Sequence, residues 1–200
     1  MILETEKILS NNDPILAKVI LQIPKPEIES TNDVFHDLMS CIFEQQIHYR
    51  STKRIFAKAL EKSSIEHLTL DNFYLVEEHY LKNSNLAAGK YETLLAFIDY
   101  WSNNTKDFNT LSDNEVVKEL SSIKGIGKWT IDMILLYTLQ RQNVFPYDDY
   151  HLKQIIVSLY GLNEKVKLKA QMLEIAENWG EHKSLAVLYL LAFKKFGTRL

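Results

Sequence analysis

The sequence predicts an all-α fold, and three observations lead to this prediction. Only 6 glycines and 4 prolines interrupt 200 residues, and several long segments place apolar residues at the spacing of one helix face. Capping residues also precede these segments, as in Ser112-Asp-Asn-Glu115, where Ser at the cap and Glu three residues on form a capping box. A chain of this length with 46% hydrophobic residues suits one compact domain, 1–200, with two helical lobes sharing the chain.

The first half of the chain shows three helical segments. Asn12-Asp13-Pro14 is typical of a helix start, with proline at an early helical position, and Pro24 and Pro26 bracket a connection. Ser30-Thr-Asn-Asp33 then offers caps for one long helix over residues 34–62. The next helix runs over 64–80, or from a start near Asp71-Asn72.

Further helices fill the second half of the chain. We expect them, with the connections between them, in this order: a turn at 82–85, a helix over 86–101, one from the capping box to residue 120, an apolar segment over 129–139, a helix from Asp148 or Asp149 to Tyr160 with Gly161 as its C-cap, and helices over 165–179 and 183–196.

Composition and charge exclude several classes of protein. A net charge of −3 argues against a protein that coats nucleic acid by bulk attraction, although contacts made locally by the backbone stay possible. The single cysteine, Cys41, excludes an intramolecular disulfide and any four-cysteine metal or iron–sulfur site. We expect no signal peptide and no transmembrane span, and therefore a cytoplasmic protein, associated with the nucleoid if it is bacterial.

A Gly-x-Gly hairpin, Gly125-Ile-Gly127, separates two apolar helical segments. Two glycines permit positive φ angles and close approach of another backbone, and amide N–H groups before a helix form an anion site that suits a DNA phosphate. An ordinary helix–helix turn is the alternative. A nucleotide P-loop is excluded, because Trp129 follows Gly127-Lys128 where that motif needs Ser or Thr, and the Rossmann fingerprint fails because no strand precedes the hairpin.

Two adjacent aspartates follow at the start of the next helix, and Asp149 lies 22 residues after Gly127. One aspartate is explained as an N-cap. The second needs another explanation.

The segments Ile123-Lys-Gly-Ile-Gly-Lys-Trp-Thr130 and Phe145-Pro-Tyr-Asp-Asp-Tyr150 resemble the helix-hairpin-helix DNA glycosylases with the Gly/Pro-rich-Asp motif, most of all the 3-methyladenine DNA glycosylase II branch. Ile42-Phe-Glu-Gln-Gln-Ile47 resembles the helix end that faces DNA in this family. Asn83-Ser-Asn-Leu-Ala-Ala-Gly-Lys-Tyr91 resembles its Gly-Leu-Ser-x-x-Lys turn, with Asn in place of the leading Gly. The resemblance covers about residues 35–193, and we expect no N-terminal β domain of the kind that longer members carry.

The resemblance implies that Asp149 is the catalytic residue and that Asp148 is the helix cap. Cleavage of an N-glycosidic bond builds positive charge on the sugar, which a carboxylate stabilises, or the carboxylate acts as a base on the attacking water. Family members that also nick the strand carry a lysine where this chain has Trp129. Lys128 lies one residue before this position, so its side chain points about 100° away around the helix. We therefore expect a monofunctional glycosylase.

Substrate and partner expectations follow from the same resemblance. The partner is duplex DNA that contains alkylated purines of the 3-methyladenine type, bound by a monomer. Trp129 and Tyr150 are the predicted walls of the base pocket, because an electron-rich ring attracts a cationic base. Gln46 matches the family's wedge that fills the gap left by the extruded base. Near the C-terminus, Leu191 stands where an aromatic is frequent, and Tyr189 is one candidate substitute.

The remaining site predictions concern DNA and a cation. The predicted DNA-binding residues are Gln46, Lys124, Gly125, Ile126, Gly127, Lys128 and Thr130. No cofactor is expected, but the carbonyls of Ser121, Ile123 and Ile126 match those that hold a monovalent cation, Na⁺ or K⁺, in this family. The histidines show no metal-ligand spacing, and His151 is interpreted as solvated or packed. Two alternatives stay open: a non-catalytic helix-hairpin-helix DNA-binding module, and a glycosylase for oxidised or mismatched bases.

Overall fold

The computed structural model describes residues 4–44, 54–84 and 88–197, and this part of the chain is helical, without strands. The predicted all-α fold is confirmed. The helices are α1 (Glu4–Asn12), α2 (Pro14–Gln22), α3 (Val34–Glu44), α4 (Arg54–Lys62), α5 (Phe73–His79), α6 (Ala88–Ser102), α7 (Asp113–Ser121), α8 (Lys128–Met133), α9 (Tyr150–Tyr160), α10 (Leu168–Glu177) and α11 (Lys183–Gly197). A π-helical turn, Ile134–Thr138, extends α8. None of the described helices is long and apolar enough to cross a membrane.

The chain divides into two compact units. Both ends of the chain form the terminal unit, which comprises Met1–Glu29 and Gln140–Leu200, and Ser30–Leu139 forms the middle unit. In the middle unit α3 contacts α4, α6, α8 and the π-helical turn, and its apolar face, which includes Leu38 and Ile42, is fully buried. In the terminal unit α11 contacts α2 and α9.

The prediction of one helix over residues 34–62 is wrong. Helix α3 ends at Glu44, and the Glu44 carboxylate accepts hydrogen bonds from the backbone N–H groups of Ile55 and Phe56, each at 3.1 Å. In a continuous helix these residues would lie about 16 Å apart along the axis. The chain therefore folds back, and Glu44 supplies acceptors for the first turn of α4.

Several local predictions are confirmed. Both hydrogen bonds of the capping box between Ser112 and Glu115 form, and Gly161 ends α9 with a positive φ of 64°. Helix α5 begins after Asn72, so the later of the two predicted starts is correct.

Asp13 caps α2 and also ties the terminal unit together. Its Oδ1 accepts from the N–H groups of Ile15 and Leu16 at 3.0 and 2.9 Å. Its Oδ2 accepts from the Tyr160 hydroxyl at 2.6 Å and from the Trp179 indole N–H at 2.8 Å. Asp13 is 3% exposed and Trp179 is fully buried, so a buried carboxylate links α2 to α9 and to the segment that follows α10.

A stacked histidine pair makes the stability of the middle unit depend on pH. The His36 and His67 rings lie 4.1 Å apart and nearly parallel, and the Leu68 N–H donates to His36 Nδ1 at 3.0 Å. Burial lowers the pKa of His36, and the neighbouring His67 lowers it further. The unfolded chain therefore binds a proton more readily than the folded one, so this contribution to stability is present above pH 6.5 and is lost as the pH falls.

We expect the free energy of unfolding to decline as the pH falls below 6.5, the ordinary pKa of histidine. Urea unfolding measured between about pH 5 and pH 8 checks this. His36→Asn is the matched variant, because its amide oxygen accepts the same hydrogen bond but does not titrate. An equal decline in this variant would show that other groups cause the effect.

Candidate DNA-binding hairpin and catalytic aspartate

The hairpin lies in the middle unit and is built around a tight turn. The Ile126 N–H donates to the Ile123 carbonyl at 3.1 Å, and Gly125, the third residue of this turn, has φ +90°. A positive φ at the third position only is the geometry of a type II turn, which favours glycine there. Gly127 then occupies the N-cap of α8 in an extended conformation, without a side-chain cap.

Gly125 is required by packing as well as by conformation. A Cβ atom at this position would lie 2.0 Å from Oγ1, 2.8 Å from Cγ2 and 2.9 Å from Cβ of Thr93 on α6. Thr93 is held in place because its hydroxyl donates to the Gly89 carbonyl at 3.0 Å. At Gly127, in contrast, a Cβ atom would meet no atom within 4 Å.

We expect Gly125→Ala to lower the free energy of unfolding by about 2 to 4 kcal/mol, since it combines a strained φ with overpacking against Thr93. Gly127→Ala is the matched control and should cost no more than about 1 kcal/mol. Urea unfolding of both variants measures the difference. Equal losses in the two variants would contradict the close packing of Gly125.

The two hairpin lysines each contact a carboxylate. Lys124 Nζ lies 2.8 Å from Glu92 on α6, and this exposed pair raises the pKa of Lys124 and lowers that of Glu92. Lys128 Nζ lies 2.5 Å from Asp132, one turn on in α8, and the Asp132 side chain is only 8% exposed. A DNA phosphate at either lysine must therefore compete with a carboxylate.

The other hairpin residues differ in what they expose. Ile126 and Thr130 are buried, at 6% and 3% exposure, so a DNA contact at these positions has to involve the backbone.

For the predicted cation, the Ile123 carbonyl already accepts one hydrogen bond, and a carbonyl oxygen has two lone pairs. This hydrogen bond therefore leaves one lone pair of the Ile123 oxygen for a further partner. Trp129 is half-buried at the second position of α8.

Asp149 lies in the terminal unit, where it is the N-cap of α9. Its Oδ1 accepts from the Leu152 N–H at 2.8 Å, and the residue is 7% exposed. The prediction that Asp148 is the cap is therefore wrong: Asp148 is exposed, and the cap falls on the residue immediately before the first helical one. The cap bond fixes the Asp149 carboxylate at the start of a helix, where the positive end of the dipole stabilises its negative charge.

Tyr150 follows Asp149 and is 56% exposed. Its hydroxyl oxygen lies 2.5 Å from the Gln154 amide nitrogen, one turn on in the same helix. Sequence reasoning missed Gln154, although the spacing of four residues on a helix was a usable signal. Gln46 lies outside the residues that the structure describes.

Tyr189 is not available as a substitute for the aromatic missing at Leu191, so this suggestion is wrong. It is 1% exposed, and its hydroxyl donates to the Glu6 carboxylate at 2.6 Å inside the terminal unit. Burial, followed by this hydrogen bond, raises the pKa of Tyr189. The residue stabilises the core.

Comparison with known proteins gives sequence relatives among DNA repair enzymes, although no protein-family model matches the chain. DNA-3-methyladenine glycosylase 1 of Schizosaccharomyces pombe is 24% identical over 161 residues, which are 78% of this chain and 70% of that protein. DNA-3-methyladenine glycosylase of Bacillus subtilis is 40% identical over 73 residues, but these are only 24% of its length.

Solved structures show the same fold over nearly the whole chain. DNA-3-methyladenine glycosidase of Bacillus halodurans has a TM-score of 0.80 at 21% identity, and the match covers 98% of this chain and 92% of that one. Schizosaccharomyces pombe Mag1 bound to abasic DNA has a TM-score of 0.72 at 22% identity, with 94% and 95% covered. An 8-oxoguanine glycosylase/lyase of Clostridium acetobutylicum, bound to duplex DNA, has a TM-score of 0.75 at 25% identity, with 98% and 70% covered. The sequence relatives named as DNA glycosylases and the shared fold together support the resemblance of this chain to the helix-hairpin-helix DNA glycosylases.

Proposed function

We propose that this protein is a monofunctional DNA glycosylase that hydrolyses the N-glycosidic bond of alkylated purines in duplex DNA, the first step of base excision repair. The observation that carries the proposal is the buried Asp149 carboxylate, fixed at the start of α9, in a chain related to enzymes named 3-methyladenine glycosylases. We further propose that it works in the cytoplasm, associated with the nucleoid if the protein is bacterial.

The proposed reaction needs only water and one carboxylate. The bond between the sugar C1′ and the base nitrogen breaks, and its electron pair leaves with the base. Alkylation at a ring nitrogen makes the base cationic, so it leaves as a neutral molecule without a general acid. Asp149 stabilises the positive charge that develops on the sugar, water then adds to C1′, and the water proton goes to the carboxylate or to solvent.

Trp129 supports a reaction without strand cleavage. A strand-nicking glycosylase uses an amine as the nucleophile on C1′ and passes through a Schiff base. An indole nitrogen cannot form that bond, and the nearby Lys128 ammonium is paired with Asp132. Trp129 is better suited to stack on a cationic base, which contributes about 0.5–2 kcal/mol. Tyr150 is the second predicted wall.

The hairpin is the proposed contact with the DNA backbone. Its turn places Gly125 and Gly127 at the surface, and backbone N–H groups at the start of α8 suit a phosphate oxygen. We propose the carbonyls of Ser121, Ile123 and Ile126 as ligands of a monovalent cation that stabilises this turn.

Base release from methylated DNA tests the proposal. Purified protein is incubated with duplex DNA treated with a methylating agent, released bases are separated by chromatography, and a parallel reaction contains borohydride to trap any Schiff base. We expect release of methylated purines and no trapped protein–DNA adduct.

Each other outcome contradicts part of the proposal. A trapped adduct would contradict the monofunctional mechanism. Release only from a duplex containing 8-oxoguanine would point to the oxidised-base alternative. DNA binding without release from any damaged duplex would leave the non-catalytic binding module.

A further inference from the structure

Three exposed lysines lie between the end of α9 and the first turn of α10. They are Lys165, Lys167 and Lys169, and we call them the lysine strip. Residues 161–173 contain these three lysines and a single acid, Glu164, although the whole chain has a net charge of −3. The strip is therefore a local positive surface on an acidic protein.

The backbone that carries the lysine strip is held by side-chain hydrogen bonds. The Gln171 amide nitrogen donates to the carbonyls of Asn163, at 3.0 Å, and Val166, and the Gln171 side-chain oxygen accepts from the Asn163 N–H at 3.4 Å. The Asn163 side chain accepts from the Lys165 N–H at 3.0 Å, and the Val166 N–H donates to the Asn163 carbonyl at 3.2 Å. The lysines of the strip therefore extend from a fixed connection.

The strip begins close to the proposed catalytic carboxylate. Lys169 Nζ donates to the Tyr147 hydroxyl at 2.9 Å and lies 4.0 Å from the centre of that ring. The hydrogen bond to Tyr147 and the charge of Asp148 raise the pKa of Lys169, so its ammonium stays charged. Tyr147 comes two residues before Asp149, and two residues of chain span at most about 7 Å.

The other two lysines are available to a ligand. Within the part of the chain that the structure describes, the ammonium groups of Lys165 and Lys167 have no hydrogen-bond or ion-pair partner. Val166 between them is 53% exposed, so this surface is open to solvent. A row of ammonium groups on an open surface suits a polyanion, since a small anion needs donors that converge on one point.

The arrangement is unfavourable for the protein alone. Lys167 is the N-cap of α10 with a positive φ of 42°, which residues with a Cβ disfavour, and its side chain makes no cap hydrogen bond. The first turn of α10 contains no acid, and the positive end of the helix dipole repels lysine charges. Phosphates at this surface would offset that repulsion.

We propose that the lysine strip is a DNA-binding surface of the terminal unit, with Lys165 and Lys167 each contacting a backbone phosphate of the duplex whose damaged nucleotide is at Asp149. The proposal rests on the proposed function for its ligand. It adds a contact on the connection between α9 and α10 to the one proposed for the hairpin.

The salt dependence of DNA binding tests this proposal without requiring catalysis. The probe is a labelled duplex with a stable abasic-site analogue, and its dissociation constant is measured between about 50 and 300 mM KCl. The double variant Lys165→Met/Lys167→Met should reduce the slope of log K against log salt by about 1.8, which is about 0.9 for each lost phosphate contact. The double variant Lys165→Arg/Lys167→Arg keeps both charges and should retain the wild-type slope.

The double variant Lys18→Met/Lys25→Met is the matched control, because it removes the same charge from two exposed lysines of the same unit. Lys18 lies on α2, whose N-cap, Asp13, contacts Tyr160 at the opposite end of α9 from Asp149. This control should keep the wild-type slope. Thermal melting should show that all three double variants are folded.

Each result decides the proposal. A slope that falls in Lys165→Met/Lys167→Met and not in the control supports it. Wild-type slopes in both would overturn it and would assign the strip to another anion, such as an acidic segment of a partner protein. Equal reductions in both would also overturn it, because they would report net charge rather than a local contact, as would failure of the wild type to bind the probe.

Base release, measured in parallel on methylated duplex DNA, separates this proposal from the proposed function. Release by the wild type with equal slopes in all variants would overturn the lysine strip alone. A reduced slope in Lys165→Met/Lys167→Met without any base release would support the strip as a DNA contact and contradict the glycosylase activity.

Discussion

Asp149→Asn should lower the rate of base release by about 10² to 10⁴-fold while leaving the fold intact. The substitution removes the negative charge that stabilises the sugar cation. It keeps an oxygen that can accept the Leu152 N–H bond, and asparagine is as good an N-cap as aspartate. Loss of activity would therefore report on chemistry rather than on stability.

The measurement is a single-turnover rate of methylated-base release, together with the melting temperature and the affinity for abasic-analogue DNA. Asp148→Asn is the matched control, because it makes the same change at the exposed neighbour and should keep the rate close to that of the wild type. Wild-type rates in Asp149→Asn would rule out Asp149 as the catalytic group. A large loss in Asp148→Asn alone would move the catalytic role by one residue.

The parts of the fold that the sequence predicts correctly depend on interactions within a few residues. Asp13 before a proline, the Ser112 capping box and Gly161 all satisfy backbone groups of their own helix ends, so their signals are local. The same holds for the backbone conformation of the hairpin, since a type II turn favours glycine at its third position.

Predictions failed where a distant partner or a one-residue choice decides the structure. The apolar periodicity continues across the end of α3, and only the bond between Glu44 and the first turn of α4 shows that the chain reverses. Asp148 and Asp149 are the same residue type and cap a helix equally well, so the position at which α9 begins decides which of them is the cap. The sequence does not show that Lys194 contacts His151, because 43 residues separate them.

Tyr189 illustrates the same limit for the candidate site. On one helix, a tyrosine that faces a pocket and one that faces the core look alike in sequence. Its partner, Glu6, lies 183 residues earlier, and that hydrogen bond places Tyr189 in the core. Asp149, the proposed catalytic residue, was easier to single out because it belongs to a short motif at the start of its own helix.

Asp13→Ala should lower the free energy of unfolding by about 3 to 7 kcal/mol, the largest stability effect that we expect from one substitution. It removes the cap of α2, which contributes about 1 kcal/mol. It also leaves the Tyr160 hydroxyl and the Trp179 indole N–H without their acceptor in a buried region, at about 1–3 kcal/mol each. Urea unfolding should show a lower midpoint with an unchanged slope.

Two comparisons separate the cap from the buried bonds. Ser112→Ala removes an exposed cap and should cost only about 1 kcal/mol. Asp13→Asn keeps an oxygen for the cap, and the Tyr160 oxygen can accept a hydrogen bond from the new amide. The Trp179 N–H can only donate, so it stays unsatisfied in this variant. The free energy of unfolding that Asp13→Asn loses should therefore fall between the losses in Ser112→Ala and Asp13→Ala. If Asp13→Ala and Ser112→Ala cost the same, the bonds to Tyr160 and Trp179 contribute nothing. In that case apolar packing alone would hold α2 against α1 and α11, and the burial of Asp13 would have no energetic consequence beyond the cap.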